Sequence, residues 1–158
     1  MPDPPFDKPK AHPWFAVELY NRAWELLEAK ERTGAEAAWM VHAAHASCYH
    51  WLEAGNVANH ARGECLVANV HAALGQGAAA MAHAGRCLEL VKEHAREMAD
   101  WDLAFAYDCL ARAHAASGLA EEARRLRKKA HEHGAKIVDD ADKKAFDAWH
   151  TAGQWHGV

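Results

Sequence analysis

From residue 14 onward, apolar positions recur three and four residues apart. In WFAVELYNRAWELLEAKER, Phe15, Leu19, Ala23, Leu26 and Leu27 fall on one stripe, the spacing of a helix that turns one face to a core. Thr33-Gly-Ala-Glu36 has the form of a capping box, which predicts a second helix starting there and ending near Gly55. Further helices are predicted over about 57–74, 78–96 and, capped by Asp100, up to Gly118. A sixth covers about 119–134, and Asp139 or Asp140 caps a short seventh that ends near 151. Connections this short favour antiparallel neighbours.

Composition agrees with the pattern. Alanine, the best helix former, supplies 37 of 158 residues, and all five prolines lie at or before Pro13. The fold class expected is therefore all-α: six main helices in antiparallel α-α hairpins and a C-terminal capping helix. Residues 1–13 are expected to form an extended tail, and 14–158 a single helical domain. The opening residues have no apolar core of a signal peptide, and no run approaches the ~20 apolar residues of a membrane span. A net charge of −4 gives no general attraction for nucleic acid or anionic membrane. Together these point to a cytoplasmic protein.

Two predicted hairpins match each other. CLVANVHAALGQGAAAMAHAGRCLEL and CLARAHAASGLAEEARRLRKKA each place a histidine four residues before a glycine, Gly75 or Gly118, and an alanine five after it. The two glycines are 43 positions apart (118 − 75), a spacing found in helical-pair repeats. Tyr107, Leu110, Ala111, His114, Gly118, Ala123 and Ala130 resemble a tetratricopeptide repeat, and Val67, Ala68, His71, Gly75 and Ala80 follow the same pattern more loosely. Glu64 stands where an aromatic is usual, the closing proline is missing, and the period exceeds that family's. The chain is also similar to short bacterial proteins with an HAAHAS-x-YHW helix and a G-x-W-x-G end. The resemblance implies a superhelix with a concave groove lined by the first helix of each pair.

Candidate chemistry is sparse. HAAHASCYHW puts three histidines and a cysteine in ten residues. At 100° per residue no single centre collects all four, and His45 and Cys48 share the apparent packing stripe with Val41 and Leu52. Packing is the expected role. A metal would need His42 and His45 plus ligands from another helix. Cys48, Cys65, Cys87 and Cys109 lack any C-x-x-C spacing and read as reduced, buried packers. His71 and His114 read as packers, His60 with Glu64 as a surface pair, and RRLRKK at 124–129 as a solvated face. Trp24, Trp39, Trp51 and Trp101 are expected in the core; Trp149 and Trp155 either dock the C-terminal segment as a cap or stand exposed for a partner.

With no phosphate loop, serine elbow or metal-protease motif, an enzyme is not expected, nor any cofactor. The leading expectation is a non-enzymatic module that binds a protein or peptide segment in the groove. Under the repeat register Arg62, Cys65 and Asn69 face it from the third helix, and Phe105, Asp108 and Arg112 from the fifth. Arg62 and Arg112 would hold a carboxylate. The alternative is a small-molecule or metal-binding bundle that uses His42 and His45. A homodimer is compatible with either.

Overall fold

The stripes become seven α-helices. The computed structural model describes residues 7–158, and no strand occurs among them. The helices are α1 (Lys8–Glu28), α2 (Gly34–Ala54), α3 (Val57–Ala73), α4 (Gly77–Glu93), α5 (Asp102–Ala116), α6 (Ala120–Gly134) and α7 (Asp140–Thr151). A 3₁₀ turn at Ala95–Glu97 links α4 to α5. No helix among the described residues is long and apolar enough to cross a membrane.

Consecutive helices pair as α1–α2, α3–α4 and α5–α6, and α3 packs on both α1 and α5. The first helices of the pairs thus line one side of the array. Alanine makes this close stacking possible, because a methyl lets two backbones approach. Ala61, Ala68, Ala72, Ala80, Ala84, Ala106 and Ala113 build the core between α3, α4 and α5. Leu26, Leu27, Met40, Leu66, Val67 and Val70 fill the layer between α1, α2 and α3. Phe146, Leu126, Ile137 and Trp155 join α5 and α6 to the C-terminal segment.

Local signals set most boundaries. Thr33 and Glu36 close the capping box in both directions, an arrangement in which the cap contributes about 1 kcal/mol. Asn56 and Asn59 repeat it at α3. Gly75 and Gly118 adopt φ of 71° and 75°, left-handed values that glycine takes without a Cβ penalty. At the end of α1, which lacks such a glycine, the Arg32 Nη1 donates to the carbonyls of Leu26, Leu27 and Ala29. A cation there also meets the negative end of the helix dipole.

Several expectations fail for identifiable reasons. Residues 8–13, expected in the extended tail, are helical, because α1 begins at Lys8; residues 1–6 of that expectation lie outside the described ones. Pro9 falls in the first turn, where the backbone N–H has no helical partner anyway. Pro13 does cost α1 a hydrogen bond, but contacts of His12 and Phe15 with His50 hold that turn against α2. Asp100 caps nothing: its carboxylate accepts the Val138 N–H from across the chain, and Trp101 takes the N-cap position of α5. Trp39 is exposed, and so is His45, because Met40, Ala43, Ala44, Ser47 and Cys48 form the buried face of α2. Among the basic run, Arg127 lies over the Trp155 ring and donates to the Val158 carbonyl, while Arg124, Arg125 and Lys128 stay exposed.

The cap docks through one buried cluster. Asp108, fully buried on α5, accepts from Arg112 Nε at 2.6 Å and from Trp149 Nε1 at 3.0 Å, and bonds His150 Nδ1 at 2.6 Å. Arg112 in turn donates Nη2 to the carbonyls of Trp149 and Ala152, the last of α7. Its guanidinium lies 4.3 Å from the centre of the Trp149 ring and 4.2 Å from that of Trp155. At Gly153, with φ of 77°, an added Cβ would stand 2.7 Å from Arg112 Nη1. Burial alone raises the Asp108 pKa, yet the His150 hydrogen bond and the Arg112 charge outweigh it and leave the carboxyl below its usual value.

Removing one member of a buried pair leaves the other charge uncompensated. Asp108→Ala should therefore cost about 3–5 kcal/mol in urea unfolding at neutral pH. A depressed carboxyl stabilises the fold above the unfolded value of about 3.9, and that contribution is lost as pH falls through the folded value. The gap between wild type and variant should accordingly narrow in acid. A gap that stays constant down to pH 2 would contradict the assignment.

Candidate ligand-binding pocket

Between α1, α3, α5 and the cap lies a cavity of about 280 Å³. Tyr20 and Trp24 come from α1, Ala61, Arg62 and Cys65 from α3, and Phe105 from α5. Trp101 stands before α5, and Ala145 and Trp149 of α7 cover the other side. Trp149 reaches Trp24 edge-to-face at 4.8 Å, so the cap forms part of the wall. Burial pushes the Tyr20 hydroxyl up to about 12, which keeps it neutral and able to donate.

Charged groups interrupt the aromatic wall: Glu28 and Asp142 line the cavity, and Arg62 pairs with Asp102 at its edge. Arg62 donates Nε and Nη2 to the two carboxylate oxygens of Asp102, both at 2.9 Å. Its guanidinium lies 4.2 Å from the Trp101 ring centre. Asp102 also accepts the Ala99 N–H at 2.8 Å, so the carboxylate, although buried, is fully engaged. The Asp102 hydrogen bonds raise the Arg62 pKa further and fix it as a cation. This fork is already committed to a carboxylate of its own chain.

Two thiols, Cys65 and Cys87, also line the cavity, and Cys109 lies behind them. Cys65, Cys87 and Cys109, one each from α3, α4 and α5, bring their sulfurs within 4.8 Å of one another. All four cysteines are free and buried. Asn69 Nδ2 points a hydrogen bond at Cys65 Sγ over 3.6 Å. The neighbouring Cys109 and Cys87 thiols hold the Cys65 pKa below its ordinary value, and the other two are pushed well up. Burial pushes Cys48, on a different helix, up to about 12.

The six residues expected to share a groove therefore separate. Arg62, Cys65 and Phe105 line this cavity. Asn69 and Arg112 border a second, wider one of about 650 Å³ beside the α1 C-terminus and Gly153. Asp108 is fully buried and faces no open groove, and Arg112, spent on Asp108 and the carbonyls of Trp149 and Ala152, is not free to hold a partner's carboxylate. The reason is that α7 folds back across the side where the repeat register alone predicts open space. Tyr20, Trp24 and Ala145 were not foreseen as pocket residues. The stripes mark helix faces but not which faces meet beneath a returning cap.

The histidines also regroup. His42 is exposed and takes no part, whereas His45 meets His71 and His83 from α3 and α4. His45 Nε2 and His71 Nε2 are 3.0 Å apart. His83 Nδ1 lies 2.6 Å from a Glu64 oxygen, so Glu64 serves His83 and not His60 as expected. Burial, with help from the charges of His71 and His83, lowers the His45 pKa. Folding the α3–α4 hairpin about Gly75 brings 71 toward 83, a signal legible in sequence; nothing local adds His45. Compared with family models, curated proteins and solved structures, the chain gives no match.

The four thiols should differ in reactivity. With a small neutral alkylating reagent on the native protein, Cys65 should react first, at least ~10-fold faster than Cys48, because the attacking species is the thiolate. Peptide mass mapping over a time course reads the order. Modification of Cys48 before Cys65 would contradict both the pocket geometry and the thiol hydrogen bonding.

Proposed function

We propose that the protein is a non-enzymatic binding module that takes an apolar anchor side chain of a partner peptide into the α1–α3–α5–α7 pocket. The observation that carries this reading is the pocket's size and lining. At about 280 Å³ it falls near the low end of ligand cavities, which begin at roughly 300 Å³. That room suits one bulky side chain better than a dinucleotide or a porphyrin. Tryptophan, tyrosine and phenylalanine walls offer an apolar anchor a rigid, preformed surface. Arg62 keeps its Nη1 hydrogens for a backbone carbonyl of the same segment, since Nε and Nη2 serve Asp102.

The tetratricopeptide-like reading supports the same conclusion. Ala111 and Ala123 are buried where paired helices approach, and Gly75 and Gly118 make equivalent left-handed turns. In such arrays the first helices line the recognition side, as α1, α3 and α5 do in this pocket. The original expectation changes in one respect: the chain's own α7 occupies the Arg112 end, so the binding segment is short and engages only the Arg62 end.

Ala145 is exposed at the pocket, so a larger side chain there fills the mouth without disturbing the core. Peptides selected from a random display library should share one aromatic or long aliphatic residue. Ala145→Trp should weaken them at least ~10-fold, about 1.4 kcal/mol, with the melting temperature nearly unchanged. Selected peptides that bind Ala145→Trp as well as wild type would refute the pocket. They would direct attention to the exposed Trp14, Phe15, Trp39 and Leu52 of the first hairpin.

A further inference from the structure

We infer that His45, His71 and His83 form a binding site for a borderline divalent metal ion of the zinc type, with an open fourth position. The site shares no residue with the pocket and does not depend on that reading. Its three ligands come from α2, α3 and α4, and one ring nitrogen of each lies within 4.8 Å of the other two. His71 is buried while His45 is exposed, so the group sits at the surface with one side open to solvent.

Convergence alone would not distinguish a metal site from a polar cluster. The surroundings of the rings do. Glu64, as a carboxylate, can only accept at 2.6 Å, so His83 Nδ1 carries the hydrogen and the lone pair of the neutral ring falls on Nε2. Gln76 Oε1 does the same for His71 Nδ1 at 2.5 Å, and His71 Nε2 is the atom that faces His45. A carboxylate or carbonyl behind the imidazole is how metal-bound histidines are oriented and made more basic. Two of the three rings have such a partner, which packing of neutral histidines does not require.

The spacing is compatible with the ion. Zn–N bonds of about 2.0–2.1 Å in tetrahedral geometry place two ligand nitrogens about 3.3 Å apart. His45 and His71 stand at 3.0 Å, so a metal would replace a single shared hydrogen between them with little backbone movement. The exposed His45 ring can rotate to complete the set. Imidazole ligands favour zinc, copper and nickel over calcium or magnesium. The Cys65–Cys87–Cys109 group is the competing candidate. With a divalent ion bound, a trithiolate would still bury a net negative charge near Asp102 and Asp108, and a single amide donor, Asn69 Nδ2 on Cys65 Sγ, faces its sulfurs.

The test uses the untagged, chelator-washed full chain titrated with Zn(II) against a competing indicator dye. One equivalent should bind, and the melting temperature should rise with added zinc. His71 is buried, so the solvent-facing pair carries the mutational test. His45→Ala and His83→Ala should each lower affinity at least ~100-fold while leaving the metal-free melting temperature nearly unchanged. Glu64→Ala should lower affinity about 10–100-fold, the usual effect of losing a partner behind a ligand. His42→Ala and Cys65→Ser should bind as wild type does. Substitution with Co(II) should give a visible spectrum of nitrogen ligation without a sulfur charge-transfer band. No zinc binding tighter than ~10 μM, undiminished affinity in both histidine variants, or a thiolate band would each overturn the assignment.

Discussion

The fold closes on a single buried ion pair. Asp108 and Arg112 lie one turn apart on α5, and between them they bond Trp149, His150 and the last carbonyls of α7. A helix end normally leaves its final carbonyls unmatched. Here a buried guanidinium supplies donors that would otherwise come from water or a capping glycine. Two indole rings cover its faces, so the charge is desolvated but not unpaired. Without this pair the C-terminal segment would have no polar reason to choose one position on α5.

That choice has consequences for recognition. Trp149 is both a ligand of Asp108 and a wall of the aromatic pocket, opposite Trp24. The same interaction that anchors the cap therefore sets the pocket's width. It also takes Arg112 out of reach of solvent and leaves Arg62 as the cation at the cavity. The array of helical hairpins thus carries a short pocket beneath its own last helix.

The histidine cluster shows a different economy. Its residues are spread over three helices whose small side chains let them pack closely. Ala43 and Ala44 make the buried side of α2 and turn His45 outward, toward the α3–α4 hairpin. The polar partners Glu64 and Gln76 come from that hairpin. Alanine content thus decides helix formation and also which histidines meet.

Local features could be read directly from the residues. Helical periodicity, the Thr33–Glu36 box and the Gly75 and Gly118 turns depend on neighbours within a few residues, and the seven helices follow them closely. Docking by Trp149 and Trp155 was one of two readings open from the residues, and their packing on Arg112 and Asp108 selects it. Which polar residues serve the fold and which line a cavity was set by long-range packing. Asp108 and Arg112 look like groove residues in the repeat register, yet their partners lie about forty positions away. His45 and His83 are likewise joined by hairpin stacking that no local pattern encodes. Helix propensity acts through backbone atoms close in sequence, whereas a charge or an imidazole takes its role from whatever distant chain desolvates it.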